Sequence, residues 1–295
     1  MNDVISTVYS GVSALIRGSE RSRKATVIVF GNEKGGTGKS TLAMHTVVGL
    51  MRDGYQVGAI DLDATQGTLT RYFRNRRNYA AQENLLLPQP LYSAIERSTL
   101  NDLRAAEEDE RKRLAHGIAA MANCDYIVLD TPGSDSSLSR EGHFHADILI
   151  TPLNDSFVDL DLLGQIDFDT QKLVAPSQYS NMVWEQKKRR LQSRAGPTDW
   201  IVMRNRLASL ESRNNRNMDL ALTDMSQRLG LRLVPGLSER VIFRELYLKG
   251  LTLLDLREEG IEVSLTMSHI AALQEVRDLL RAIGPAREPA TKDVM

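Results

Sequence analysis

Residues 31 to 41 read Gly31-Asn32-Glu33-Lys34-Gly35-Gly36-Thr37-Gly38-Lys39-Ser40-Thr41, a glycine-rich turn with a lysine on either side. The run before it, Thr26 to Phe30, is β-branched and continuously apolar, as a strand buried on both faces must be. From Ser40 onward an apolar segment with polar ends reads as a helix. Strand, glycine-rich turn and helix in that order form a phosphate-binding loop. Gly35, Gly36 and Gly38 let successive backbone N–H groups, including that of Thr37, curl around phosphate oxygens, and the start of the helix adds partial positive charge. In such a loop Lys39 reaches the β and γ phosphates, Ser40 offers its hydroxyl to Mg²⁺ and Thr41 touches the α phosphate. The usual first glycine of the pattern is replaced by Glu33, and the turn carries a second lysine, Lys34.

The spelling Lys34-Gly35-Gly36-x-Gly38-Lys39-Ser40 resembles the deviant Walker A loop of the ParA/MinD family of dimerising P-loop ATPases. The resemblance implies that Lys34 crosses to the nucleotide of a second subunit. A cation supplied in trans offsets γ-phosphate charge only while two subunits enclose two ATP molecules, which couples nucleotide state to homodimer formation.

Two further segments have the composition of strand ends that carry acids. Asp61-Leu62-Asp63-Ala64-Thr65-Gln66-Gly67 follows an apolar run, and in the resemblance it is the first switch. Asp63 then matches the carboxylate that positions or polarises the attacking water, and Asp61 matches the one beside the Mg²⁺ shell. In Asp125-Tyr126-Ile127-Val128-Leu129-Asp130-Thr131-Pro132-Gly133 a buried strand delivers one acid into a Pro-Gly turn. Asp130 resembles the Walker B aspartate that holds Mg²⁺ through water, and the N–H of Gly133 is placed to sense the γ phosphate. Arg204-Asn205-Arg206 stands just after an apolar run, where relatives recognise adenine. Asn205 offers the donor and acceptor pair that an adenine edge requires, and a plain strand-end turn is the other reading. Slow, regulatory ATP hydrolysis to ADP and phosphate is what the family resemblance implies.

The chain has 295 residues, of which 42% are hydrophobic, enough for a sizeable core. Strands expected at Gln56 to Leu62, Asp125 to Asp130, Ile148 to Thr151, Trp200 to Met203 and Leu231 to Val234 alternate with helical stretches. That alternation predicts an α/β fold, a mostly parallel sheet with helices on both faces. The expected organisation is an N-terminal extension over 1–24, one ATPase domain over 25–284 and a flexible tail over 285–295. In the extension Val4, Ile5, Val8, Val12, Leu15 and Ile16 share a helical face before a basic run, so it reads either as a mobile tail or as a conditional docking helix for a membrane or partner. The segment Asn101 to His116 places acids before bases at a spacing of four, the pattern of a solvated helix face.

Cys124 is the sole cysteine. That excludes a disulfide framework, disfavours the iron-sulfur reductases that share this loop, and suits a reducing cytoplasm. No apolar stretch reaches the length of a membrane span, and Asp3 stands where a signal peptide would carry positive charge. The cytoplasm is therefore the expected compartment, with association to nucleoid or pole left open.

A net charge of −1 excludes a globally basic nucleic-acid binder. Locally, Lys187, Lys188, Arg189, Arg190, Arg194, Arg204, Arg206, Arg213 and Arg216 crowd a region with few acids. This reads either as a phosphate-tracking DNA surface, with Arg204, Arg213 and Arg216 at its centre, or as solvated helix and loop.

Within the family the chain is most similar to MipZ-like division-site regulators, through Asn32 to Gly36, Thr151 to Asp159, Arg204 to Ala208 and Pro235 to Leu237. This resemblance implies an ATP-bound homodimer, inhibition of FtsZ assembly, recruitment by a ParB-like centromere-binding protein and nonspecific DNA binding. Where MipZ-like DNA faces carry further arginines this chain has Asn217 and Ser238, which implies a weakened DNA face. Two rival functions remain: a ParA-type ATPase that positions a chromosome, plasmid or protein cargo, and a metabolic P-loop enzyme with a small-molecule pocket.

Overall fold

A computed structural model describes residues 24–167, 169–207, 213–261 and 265–284. The expected N-terminal extension and C-terminal tail lie almost wholly outside them.

Strand β1 (Thr26–Phe30) is buried along its whole length, and its alternate residues enter two different cores. Ile28 and Phe30 face one layer, whereas Val27 and Val29 face the other. A strand with both faces covered has no polar side to keep, which is why the run is continuously apolar. The first layer comprises α1 (Lys39–Arg52), α2 (Thr68–Gln82), α8 (Ile242–Lys249) and α9 (Met267–Ile283). The second comprises α3 (Leu103–Ala120), α4 (Ser137–His145), α6 (Gln178–Gln192) and α7 (Arg213–Leu229).

The other strands of the main sheet are β2 (Val57–Asp61), β3 (Leu91–Ala94), β4 (Tyr126–Asp130), β5 (Ile148–Asn154), β8 (Asp199–Leu207) and β9 (Arg232–Ser238). They lie in the order β3-β2-β4-β1-β5-β8-β9, and every neighbouring pair is parallel. All C-terminal strand ends therefore open on one edge, where α/β sheets bind ligands. The short helix α5 (Phe157–Leu160) follows β5, and β6 (Gly164–Ile166) and β7 (Leu173–Pro176) form a separate antiparallel pair.

The expected strands are present, with two differences that matter. β8 continues to Leu207, so Arg204, Asn205 and Arg206 lie within a strand and not after it; pairing with β5 as far as Asn154↔Asn205 and with β9 as far as Leu207↔Ser238 holds them there. The edge strand β3 is not announced by its residues: Leu-Tyr-Ser-Ala is short and half exposed.

Helix α3 carries the anticipated pairs of Glu108 with Arg111 and Lys112, and of Asp109 with Arg113. Glu110 departs from that solvated face. It is buried and accepts hydrogen bonds from Arg97 Nε, Ser98 N and the Ser137 hydroxyl. Several hydrogen bonds to the charged form together outweigh its burial and lower its pKa.

Two fully buried histidines make the fold acid-sensitive. The Nδ1 of His45 meets the Thr41 carbonyl at 2.8 Å, while its Nε2 accepts the Leu253 N–H at 3.3 Å, so the pair of partners selects a neutral ring. His143 is held by the Ser139 carbonyl at 2.7 Å and the Tyr179 hydroxyl at 3.2 Å. Burial lowers both from 6.5 to about 4. A depressed histidine pKa means that the unfolded chain binds protons first, so this stability is complete above about pH 6.5 and is lost as pH falls towards 4. Each histidine then accounts for up to roughly 3 kcal/mol over that interval. The urea midpoint should fall steadily from pH 6.5 to pH 4, and a His45→Gln variant should flatten part of the slope; a constant midpoint would refute this account.

Candidate functional site

The glycine-rich loop leaves β1 at the centre of the open edge and is anchored from below. Asn32 donates to the Pro152 carbonyl at 2.6 Å and accepts the Lys34 N–H at 2.6 Å. The buried Tyr179 hydroxyl donates to the Gly31 carbonyl at 2.9 Å and lies 2.9 Å from Thr151 Oγ1, which in turn accepts Trp200 Nε1–H at 3.1 Å. Burial raises the Tyr179 pKa well above the usual tyrosine value. None of these supports is a glycine or a lysine of the loop, and apart from Asn32 they come from β5, α6 and β8. Only the tertiary structure reveals them.

Gly38 has φ 92, and a Cβ there would stand 2.2 Å from Asn205 Nδ2, so both conformation and space require glycine. Gly133 is tied to the loop in a similar way, since a Cβ on it would lie 3.1 Å from the Gly35 nitrogen. The turn after β4 therefore touches the glycine-rich loop directly. Together these segments enclose a cavity of about 510 Å³ lined by Gly35, Gly36, Gly38, Lys39, Ser40, Thr41, Asp63 and Gly133, so most of the expected phosphate-site residues meet in one place. Thr37 is fully buried, and its hydroxyl has no hydrogen-bond partner among the described residues.

Lys39 is buried and donates to the Lys34 carbonyl at 2.9 Å. Burial lowers its pKa, and Asp130 and Asp63 oppose that shift. Asp130 ends β4 beside Asp61, which ends β2 in the matching register. Burial raises Asp130 to about 7; Asp61 and Asp63 add to the rise, while Ser40 and Lys39 oppose it. One oxygen of Asp130 is buried without a hydrogen-bond partner among the described residues. Asp61 is fully buried too, but it is engaged: it accepts the Asp63 N–H at 2.9 Å, the Thr70 N–H at 3.0 Å and the Thr70 hydroxyl at 2.6 Å. Its visible work is to pin the loop that carries Asp63. Burial and the neighbouring Asp61 raise the Asp63 pKa.

This donor set fits a hard divalent cation such as Mg²⁺. An unpartnered buried carboxylate oxygen and a nearby hydroxyl are oxygen ligands of the right kind, and a bound cation would favour the ionised form of Asp130. No group of three or more acidic, histidine or cysteine side chains able to hold a metal occurs among the described residues. The remaining ligands would then have to come from phosphate and water, as is usual for Mg²⁺.

Lys34 points away from its own cradle. Its Nζ donates to the Val158 carbonyl and to Asp159 Oδ1 at 3.0 Å, at the start of α5. Asp159 also accepts the Asn154 N–H at 3.0 Å.

A second cavity, of about 220 Å³, adjoins the first through Gly38, Thr41 and Arg206, and is walled by Tyr72, Asn205, Leu237, Phe243 and Tyr247. Its aromatic walls come from α2 and α8, which the sequence reading did not connect to the site. Asn205 lines this cavity and donates its amide N–H to the Thr37 carbonyl at 2.8 Å, acting as a strut between β8 and the loop.

The basic cluster is dispersed. α6 runs back along the sheet, so its Lys187 to Arg190 end lies by the start of β8, whereas Arg204 and Arg206 lie towards its far end. Arg190 is buried against Asp147, and Arg189 pairs with Glu141. Arg204 pairs with both Asp155 and Asp219, so its charge is matched within the chain and it is a poor candidate for phosphate tracking. Arg216 is exposed on α7, and the Arg213 side chain lies outside the described residues.

The model of the ATPase MipZ family matches residues 26–286. The septum site-determining protein MinD of Helicobacter pylori is 30% identical over 159 residues, which is 48% of this chain and 59% of that protein. The fold is similar to that of an ATP complex of a Cyanothece McdA variant, with TM-score 0.56 and 15% identity over 90% of this chain and 99% of that one. It is also similar to MinD in a MinC:MinD cell division protein complex from Aquifex aeolicus, with TM-score 0.54 and 17% identity over 91% of this chain and 99% of that one. Among the described residues no helix is long and apolar enough to cross a membrane.

Proposed function

This chain belongs to the MipZ family of ParA/MinD-type ATPases, and from that membership and the geometry of the site we propose that it is an ATP-dependent dimerising switch that regulates the placement of cell division. The observation that carries the reading is the position of its two lysines. Lys39 lines the cradle, while Lys34 is held outside it on Asp159, a position from which we assign it to a second nucleotide site.

In this reading the triphosphate lies against the loop N–H groups, with Gly35, Gly36, Thr37, Gly38 and Thr41 around the phosphates and the base in the aromatic cavity beside Asn205. Mg²⁺, held by Ser40 and Asp130 with Asp61 behind them, would neutralise phosphate charge. Asp63, poised by burial on a loop pinned to Asp61, orients the attacking water. Gly133 relays the presence of the γ phosphate to the turn after β4. Lys34 leaves Asp159 and completes the partner's site, so that ATP favours the dimer and hydrolysis releases it. The target we assign to the ATP-bound dimer is FtsZ, with a ParB-like protein as recruiter and DNA contact confined to the residues around Arg216.

The test uses an Asp63→Ala variant, expected to retain ATP without hydrolysing it. FtsZ polymerisation followed by light scattering should be suppressed by this variant with ATP and left intact with ADP or without nucleotide. Polymerisation unaffected in every state would remove FtsZ as the target and leave the cargo-positioning reading in its place.

A further inference from the structure

Arg206 stands on the wall between the two cavities and lines both of them. Its φ is 55, in the left-handed region that disfavours a residue with a Cβ. It sits where the pairing of β8 with β9 shifts register, between Asn205 and Leu207. A non-glycine residue keeps such a conformation only where the surroundings impose it, and these sites cluster around ligands. Arg206 is exposed, and among the described residues no acid or carbonyl group engages its guanidinium. Its neighbour Arg204, by contrast, is held by two carboxylates. A cation with five donors is thus left between a cradle shaped for phosphates and a cavity walled by aromatic rings.

We infer that Arg206 binds the phosphate chain of the nucleotide in cis, from the side opposite the glycine-rich loop. The guanidinium donates to non-bridging phosphate oxygens where the nucleotide passes from one cavity into the other, so the phosphates are held between the loop N–H groups and Arg206. The β8 bulge sets Arg206 at the mouth of both cavities, and the strained backbone at 206 is the cost of that placement. This assignment rests on the reading of the two cavities as a single ATP site.

A phosphate-binding role and a purely structural one predict different results for Arg206→Gly. Glycine accepts the positive φ without strain but removes the guanidinium. Stability without nucleotide should therefore hold or rise, by up to about 3 °C in melting temperature, while nucleotide affinity falls. The experiment titrates the full chain and its Arg206→Gly, Arg206→Ala and Arg206→Lys variants with fluorescent ATP and ADP, with adenosine as a competitor, and measures melting without nucleotide. Both truncations should bind ATP and ADP about tenfold more weakly, as loss of a charge-assisted contact implies, with adenosine unaffected and Arg206→Lys intermediate. Undiminished ATP affinity in both truncations would overturn the assignment, and so would a loss that is equal for adenosine. If the unaltered chain binds no ATP, the single-site reading itself fails and the assignment falls with it; if it binds ATP and the truncations match it, only Arg206 is refuted.

Discussion

Replacing Asp255 with alanine is expected to destabilise the chain by about 3 to 5 kcal/mol, the range found when one partner of a buried ion pair is removed. Asp255 is fully buried in the turn of Leu253–Asp255, and it holds Arg76 of α2, also fully buried, through contacts of 2.7 and 3.0 Å. It also accepts from Arg52 Nη2 at 2.6 Å, from Thr252 N at 2.8 Å and from the Thr252 hydroxyl at 2.9 Å. Despite burial, hydrogen bonding and charge from Arg76, with Arg52 and Thr252, hold its pKa down at about 2.

Alanine would leave the Arg76 guanidinium in the interior with, among the described residues, only the Pro88 and Gly250 carbonyls. The penalty comes mostly from that stranded charge and not from the net worth of the pair. A double variant, Arg76→Met with Asp255→Leu, should therefore be clearly more stable than Asp255→Ala alone. Urea denaturation of the three proteins at pH 7 decides the matter; a double variant as unstable as the single one would show that packing, not charge, governs the cluster. The pH dependence has the opposite form to a raised carboxylate. The contribution of Asp255 is complete above about pH 4 and disappears as pH falls through 2.

The second large effect concerns Lys34. Lys34→Ala should weaken ATP-dependent dimerisation by roughly a hundredfold or more, since a charge facing a desolvated phosphate is worth several kcal/mol across an interface. Asp159→Asn should act in the opposite direction and far more weakly. It keeps an acceptor for the Asn154 N–H but removes the carboxylate that holds Lys34 in the free chain. Lys34 is about a third exposed, so that pair is worth at most about 1 kcal/mol, and the gain in dimer affinity should be about fivefold or less. Sedimentation with a slowly hydrolysed ATP analogue measures both. A Lys34→Ala chain that dimerises normally would refute the trans role, and an Asp159→Asn chain that dimerises less well would show that the contact with Asp159 is not a brake.

The phosphate loop and both acid-bearing strand ends were legible because each is a continuous stretch whose local geometry follows from its own residues. Thr26 to Phe30 can only be a doubly covered strand, and three glycines beside Lys39 leave few other uses. The readings that changed depend on distant partners. β8 is longer than its apolar run because β5 and β9 pair with its polar end. Arg204 stands in a basic stretch of the sequence, and only the fold brings Asp155 and Asp219 to it. Glu110 shared the charge pattern of its neighbours on α3, and only the packing of α4 against that helix placed the Ser137 hydroxyl on its carboxylate.

What the residues alone determined is which groups the cradle offers: glycine, lysine, hydroxyl and carboxylate each lie within a few bonds of their own backbone, and their order along the chain is sufficient to name them. What only the tertiary structure decided is how that chemistry is supported and held ready. Tyr179 lies 148 positions from the Gly31 carbonyl it supports, and Asp159 lies 125 positions from Lys34. Contacts at such separations exist only after the parallel sheet has aligned its strand ends, because each joins groups whose local sequences are indifferent to one another.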